Sequence, residues 1–366
     1  MSAAGNLYIG LMSGTSSDAI DAALVRITDT SVTLLQSLAV PISASLVTSI
    51  SAAVDQSEDR LDDLYTLDVA LGEAFAEAAL ELMALSKNNK ITAIGSHGQT
   101  IRHRPNHARP YSVQLGSGAV IATRTGITTV TDFRSGDIAL GGQGAPLVPA
   151  FHKSLFAAPD EHRVILNIGG IANATILPSE GPILGFDTGP GNTLLDHWYR
   201  CHRDGQFDQN GNWSRQGCCL PKLLDTLLQD PYFSQPLPKS TGLEYFNLNW
   251  LRRHLDGTEK AQDVQATLVQ LTSEAIARTL HIHAPQTHRM YLCGGGVRNQ
   301  HLVTQIQTSL SSVAVQQTDA LGIPADWVEA VAFAWLARQR LKGHTTSLPE
   351  VTGSSRSLSL GAVYLP

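Results

Sequence analysis

The chain has 366 residues, 43% of them hydrophobic and 16% charged, which fits two globular domains with sizeable cores. Its 32 acidic residues outnumber 26 basic ones, giving a net charge of -6 with no long run of either sign; this argues against nucleic acid or an anionic membrane as partner and for a small molecule. The cysteines Cys201, Cys218, Cys219 and Cys293 show no CxxC spacing and no regular framework, so neither a zinc site nor a disulfide scaffold is expected. They read as thiols of a reducing compartment. Met1 leads through small residues directly into the apolar run from Leu7 to Met12, with no basic n-region and no 18-residue apolar stretch further on, and the chain is expected in the cytoplasm.

In chain order, residues 7–12 and 20–27 read as two strands joined by a Ser/Gly/Thr turn, and residues 32–40 as a third. From Leu61 to Leu85 the residues Leu64, Leu67, Leu71, Phe75, Ala78 and Leu82 recur at helical steps, predicting an amphipathic helix. Residues 91–95 read as a buried strand running into the polar loop Ser96 to Thr100, residues 118–125 as a short helix, and the β-branched run 127–133 as a strand. The pattern restarts at Arg163: strands over 163–168, 174–177 and 183–186 flank a glycine turn, then a helix over 265–281 and a strand over 290–293. A helix over 300–310, a strand over 313–316 and a closing helix over 327–341 complete it. The order β-β-β-α-β-α-β-α thus occurs twice, predicting an α/β protein of two duplicated lobes with an interdomain cleft for ligands. The expected boundaries are 1–155 with about 345–366 for the N-terminal lobe and 156–344 for the C-terminal lobe, which carries a loop-rich insert at 205–250.

Three segments carry chemistry. The run GLMSGTSSDAID from Gly10 to Asp21 is a tight turn of small and hydroxyl residues whose N-H groups suit phosphate oxygens; it lacks the Walker lysine and precedes a strand, and a plain hairpin turn stays open as its alternative. The run GFDTGPGN from Gly185 to Asn192 puts Asp187 at the carboxyl end of a strand, where it can act as a general base, with glycine-turn and helix N-terminal N-H groups open to anions. Its alternative is an Asp in a turn or cap. The run CGGGVRN from Cys293 to Asn299 lets a flat base or ribose lie on bare backbone. His103 and His107 flank Arg104 and Pro105 without an acidic or thiol neighbour, which favours a solvated loop over a metal site.

Together these turns, each at a strand end in a duplicated frame, resemble the actin, hexokinase and Hsp70-type ATPases, whose lobes are ribonuclease H-like. Within that superfamily the chain resembles the anhydro-N-acetylmuramic acid kinase family along essentially its whole length, through GLMSGTS (10–16), HGQT (97–100), TDFR (131–134), DIALGGQGAPLVPA (137–150), LNIGGIAN (166–173) and FDTGPGN (186–192). DPYFSQP (230–236), KSTG (239–242), DVQAT (263–267), CGGG (293–296) and EAVAFAW (329–335) extend the match. The resemblance implies a cytoplasmic ATP-dependent kinase of peptidoglycan recycling that opens the anhydro bridge of 1,6-anhydro-N-acetylmuramate and phosphorylates O6. It implies Asp187 as the base that activates water and Glu329 as a holder of that water or of the sugar. ATP would be bound by Gly14, Thr15, Ser16, Ser17, Asp18, Ala19, Ile20 and Asp21, by Gly169, Gly170, Gly189, Gly191 and Asn192, and by Gly294, Gly295 and Gly296. Sugar contacts would come from His97, Gln99, Thr100, Arg134, Gly142 and Gln143. Mg2+ would bridge the phosphates, with no dedicated protein metal site, and a homodimer is implied. Ala19 stands where the family usually has Gly, and Val297 where a small residue is usual; a positive φ at residue 19 would cost an alanine about 1 kcal/mol or more. An ordinary hexose kinase, with Asp187 deprotonating a hydroxyl directly, and an ATP-driven conformational module remain open on the same frame.

Overall fold

The computed structural model describes residues 5–14, 17–55, 60–86, 90–243 and 245–366. The chain begins β1 (Asn6–Met12), β2 (Ala19–Ile27), β3 (Val32–Pro41), α1 (Ala44–Asp55), α2 (Leu61–Leu85) and β4 (Ile91–Ser96). It continues β5 (Gln99–Arg104), β6 (Tyr111–Leu115), α3 (Gly118–Thr125), β7 (Thr129–Thr131), α4 (Ser135–Ala139) and α5 (Pro149–Phe156). Then come β8 (Arg163–Ile168), β9 (Ile171–Leu177), β10 (Leu184–Pro190), α6 (Thr193–His202), α7 (Pro221–Leu228), α8 (Leu248–Arg252) and α9 (Ala261–His283). The last elements are β11 (Arg289–Cys293), α10 (Gln300–Ser309), β12 (Ala314–Gln317), α11 (Val328–Leu341), α12 (Pro349–Thr352) and β13 (Ala362–Tyr364).

Two sheets have strand orders β13-β7-β4-β1-β2-β3 and β10-β9-β8-β11-β12. In the first, β1, β2 and β3 form an antiparallel meander while β4 runs parallel to β1 and β7 parallel to β4. In the second, β8, β9 and β10 form the meander, β11 runs parallel to β8 and β12 parallel to β11. Order and sense are the same in both, which is the duplicated α/β frame that the repeated element order predicts.

Contacts divide the chain into one unit of Met1–Leu155 with Trp327–Pro366 and a second of Phe156–Asp326. The sequence pattern places residues 327–344 with the second lobe, whereas α11 packs on β1, β2 and β4 of the first unit. The cause is a pair of glycines side by side on neighbouring strands, Gly10 and Gly95. A Cβ on Gly10 would sit 1.7 Å from the Ala330 carbonyl oxygen, and one on Gly95 2.1 Å from that of Phe333. Bare backbone lets the alanine-rich helix lie directly on the sheet, and α11 is buried from Ala330 through Gln339. On this unit's other helical layer, α2 buries Leu67, Leu71, Phe75, Ala78 and Leu82 in the cluster that contains Ile9, Leu11 and Ile20; each such large side chain contributes about 1.5–3 kcal/mol of burial.

Three local expectations are corrected. Residues 99–115 are a β5–β6 hairpin and not a solvated loop: Ile101 and Leu115 are buried, and Arg102, His103 and Arg104 are half-buried. His103 sits in this hairpin with Nδ1 3.0 Å from Ser112 Oγ, and only His107 is exposed. The strand expected over 127–133 shortens to Thr129–Thr131, because α4 begins at Ser135. The 205–250 segment is less loop-rich than its composition implies, containing α7, α8 and a packed aromatic group of Tyr232, Phe246 and Trp250.

Candidate active site

In the first unit the β1–β2 hairpin closes with Met12 opposite Asp21. Thr15 and Ser16 lie outside the described residues. Beside them, Ser17 takes φ 52° and donates its N-H to the Gly14 carbonyl at 3.2 Å. Gly14 has open space where a Cβ would stand, and the Asp18 side chain is exposed. Ala19 opens β2 opposite Pro41 and is not among the positive-φ residues. The left-handed conformation falls on Ser17, so the alanine at 19 carries no backbone penalty. Ile20 is 1% exposed, so it offers a ligand backbone only.

Gln99, expected at the sugar, is tied to this hairpin. It is buried, accepts from Ser13 Oγ at 2.7 Å and donates to the Gly14 carbonyl at 3.4 Å. Gln99 therefore holds the Ser13–Gly14 end of this turn. Thr100 accepts from Gln114 through its hydroxyl at 3.2 Å. Next to it, His97 donates from Nδ1 to the Gly98 carbonyl at 2.8 Å and accepts at Nε2 from the Arg134 guanidinium at 2.8 Å. Burial foremost, and then the Arg134 charge, push the His97 pKa down to about 3, so its ring is neutral. Arg134 also donates to the Gly144 carbonyl at 2.7 Å, which fixes a guanidinium at the GGQG loop. The loop in turn closes on Asp137, a fully buried carboxylate that accepts from the Gly144 N-H at 2.8 Å and from the hydroxyls of Thr352 and Ser347. Gly142 leaves no room for a side chain, since its Cβ would meet Asp137 Oδ2 at 2.2 Å. Gln143 is held by its N-H to the Thr352 carbonyl at 2.8 Å and by its side chain to Asn106 at 3.3 Å. Glu329 lies in the first turn of α11, where its charge favours the helix dipole.

In the second unit the glycine turns converge at the carboxyl end of β8. The carbonyl of Gly170 accepts from the N-H groups of Gly191 at 2.9 Å and Thr193 at 3.1 Å, and that of Gly169 from Asn192 at 2.8 Å. A Cβ on Gly191 would stand 2.3 Å from the Gly169 carbonyl. Of the donors expected to be open to an anion, the N-H groups of Gly191, Asn192 and Thr193 are thus engaged by the neighbouring turn. Asn192 Nδ2 donates to the Ile168 carbonyl at 3.2 Å. Against the same strand end, Gly294 at φ 81° would place a Cβ 2.3 Å from Asn167 Oδ1, and Gly296 one 2.3 Å from Ile168 Cγ2. Gly295 is exposed, with nothing within 4 Å of its Cβ position. Of the three glycines it is the one whose face is open to a ligand. Val297 is 5% exposed and fills the core, so its bulk does not intrude on that face.

Asp187 sits in β10 just before a register shift opposite β9, with Gly189 at φ 148° and its Cβ position 2.8 Å from Phe233. Its carboxylate Oδ2 accepts the Thr241 N-H at 2.9 Å, its own N-H donates to the Lys239 carbonyl at 3.2 Å, and its carbonyl accepts from Tyr232 Oη at 2.8 Å. The half-buried carboxylate is thus gripped by the 205–250 segment. Sequence pattern gave Lys239, Tyr232 and Asp137 no role. The KSTG run was the one available signal for Lys239, and the short DIALGGQG spacing the one for Asp137. Among the described residues no cluster of three His, Cys, Asp or Glu suits a metal ion.

A family model described as Anhydro-N-acetylmuramic acid kinase matches residues 6–366. A relative of that description from Nitrosomonas europaea is 49% identical over 98% of this chain and 99% of its own. Another, from Xylella fastidiosa, is 48% identical over 98% of this chain and 96% of its own. Among solved structures, the activator of 2-hydroxyisocaproyl-CoA dehydratase from Clostridium difficile with bound ADPNP is 11% identical over 92% of this chain and 96% of that one, with a TM-score of 0.46.

Proposed function

The chain belongs to the anhydro-N-acetylmuramic acid kinase family, and from that membership we propose that it opens the anhydro bridge of 1,6-anhydro-N-acetylmuramate with water while phosphorylating O6, giving N-acetylmuramate 6-phosphate and ADP in peptidoglycan recycling. The observation behind the chemistry is Asp187, a half-buried carboxylate within β10, not at the strand end where the sequence pattern expects it, with one oxygen fixed by the Thr241 N-H. Water attacks the anomeric carbon and gives its proton to Asp187 as the C1–O6 bond breaks. The departing O6 carries the electron pair and takes the γ-phosphoryl group of ATP, so ADP leaves and no separate acid is needed, unlike ordinary glycoside hydrolysis. Glu329 helps hold the water or the sugar.

The Gly14–Asp21 turn takes the ATP phosphates and Gly295 offers bare backbone to the nucleoside. Mg2+, when bound, neutralises phosphate charge during transfer. It is commonly held by phosphates and one or two carboxylates, and Asp18, exposed beside the turn, with Asp21 on β2 fits that need. Arg134, His97 and the 141–144 loop are assigned to the sugar, where a fixed guanidinium suits the carboxylate of muramic acid. Family resemblance further supports a homodimer in the cytoplasm; no helix of the described residues is long and apolar enough to cross a membrane.

The test is ADP release with Mg-ATP and the anhydro sugar, run beside glucose, N-acetylglucosamine and open-ring N-acetylmuramate, with products identified by mass. Selective turnover with both water and phosphate added is expected. Equal use of an open-ring sugar would instead identify a hexose kinase, and sugar-independent hydrolysis a conformational ATPase.

A further inference from the structure

Lys239 presents a problem of charge. Its side chain is 7% exposed, and its ammonium lies 3.3 Å from the Tyr232 carbonyl and 4.7 Å from the centre of the Tyr232 ring. One long hydrogen bond and one ring face are modest compensation for a buried ammonium, which needs a counter-charge to remain ionised. Burial pulls the Lys239 pKa below the usual lysine range, and the Asp187 carboxylate opposes that pull. The same short segment grips the Asp187 backbone through the Lys239 carbonyl and its carboxylate through the Thr241 N-H. Tyr232, which covers the lysine, donates its hydroxyl to the Asp187 carbonyl.

We infer that Lys239 is a positioning residue of the reaction, its buried ammonium acting with the Thr241 N-H to hold the Asp187 carboxylate ionised and in one orientation. The inference rests on Asp187 being the base. An ionised carboxylate is the form that accepts a proton from water, and a carboxylate with one oxygen anchored presents its lone pairs in a fixed direction. The 205–250 segment then completes the base and is part of the catalytic apparatus. The other titratable and charged groups around the pair are Tyr232, Tyr245, packed against Tyr232, Asp230 and Arg253, which act on Tyr245, and His283, which senses the Lys239 charge. Burial raises the Tyr232 and Tyr245 hydroxyls above their ordinary range and lowers His283, and Lys239 is the basic group in this set on which the Asp187 carboxylate acts.

The experiment compares Lys239→Met, Lys239→Arg and Asp187→Asn in kcat, KM for ATP, KM for the anhydro sugar, pH profile and thermal midpoint. Lys239→Met is expected to lower kcat about 10- to 100-fold, short of the roughly 10²- to 10⁴-fold range of a lost base. KM for ATP should stay within about twofold, and the acid limb of kcat should move to higher pH. Lys239→Arg, which keeps the charge, should recover part of the loss and return the acid limb. A Lys239→Met enzyme with wild-type kcat and an unmoved acid limb overturns the inference while leaving Asp187 in place. An active Asp187→Asn enzyme instead removes the base reading itself, and this inference with it. Should both lysine variants fail to fold, the midpoint of Asp187→Asn decides: the pairing requires it to fall, because the ammonium loses its counter-charge, and an unchanged or raised midpoint rejects the pairing.

Discussion

Gly294, Gly295 and Gly296 are identical in sequence and different in duty. Adding a methyl at 296 drives it into Ile168 Cγ2 at 2.3 Å, and at 294 it meets both Asn167 and a positive φ. At 295 it meets nothing within 4 Å. Gly296→Ala is therefore expected to destabilise by about 1–3 kcal/mol, the usual cost of overpacking, visible as a lower urea midpoint. Gly295→Ala should keep that midpoint and raise KM for ATP, because its methyl occupies the face assigned to the nucleoside. A Gly295→Ala enzyme with unaltered KM would take this glycine out of the nucleotide site. Residue type and place in the chain point to Asp187 and the glycine triplet as candidates. They were insufficient to rank the triplet, since rank depends on which strand each Cα touches. Lys239 was beyond sequence reasoning for a related reason: a lone lysine between Pro238 and Ser240 reads as surface, and only burial against Tyr232 reveals its need for a carboxylate.

At the scale of elements, the long periodic helix α2 was legible to the residue, because 25 residues at helical spacing leave little freedom. The β5–β6 hairpin was not, because Arg102, His103 and Arg104 obscure a strand whose inward side is short. The allegiance of α11 was hidden as well, being decided by two glycines more than 200 residues away in sequence and not by anything in the helix. That dependence is testable. A Cβ on Gly10 would press on the backbone of α11, which cannot yield as a flexible side chain can. Gly10→Ala should thus lower the thermal midpoint and, by displacing the turn that bears Glu329, reduce kcat in the fraction that remains folded. A Gly10→Ala protein with wild-type midpoint and kcat would show that α11 is not held at this distance from β1.

For the molecule as a whole, the duplicated strand order was readable because the two meanders repeat the same apolar runs, whereas its response to acid emerges only from burial. His97 and His152 are held at about 3 and His103 at about 4, in each case mainly by burial. His197, His283 and His301 of the second unit are lowered for the same leading reason. Unfolded, each accepts a proton near the ordinary value of about 6.5. Between that value and the lower folded ones the unfolded chain binds more protons, so the stability these neutral rings represent is present above about pH 6.5 and is lost as pH falls toward 3. The urea midpoint is accordingly expected to decline from pH 7.5 to pH 5, ahead of the range in which ordinary carboxylates titrate. His97→Gln should flatten the slope by up to about 1.4 kcal/mol per pH unit, the contribution of one proton. A midpoint constant over that interval would mean that these histidines titrate alike in both states. The neutral ring that accepts from Arg134 would then be lost as a support for the guanidinium, and with it the reason for assigning that arginine a fixed place at the sugar.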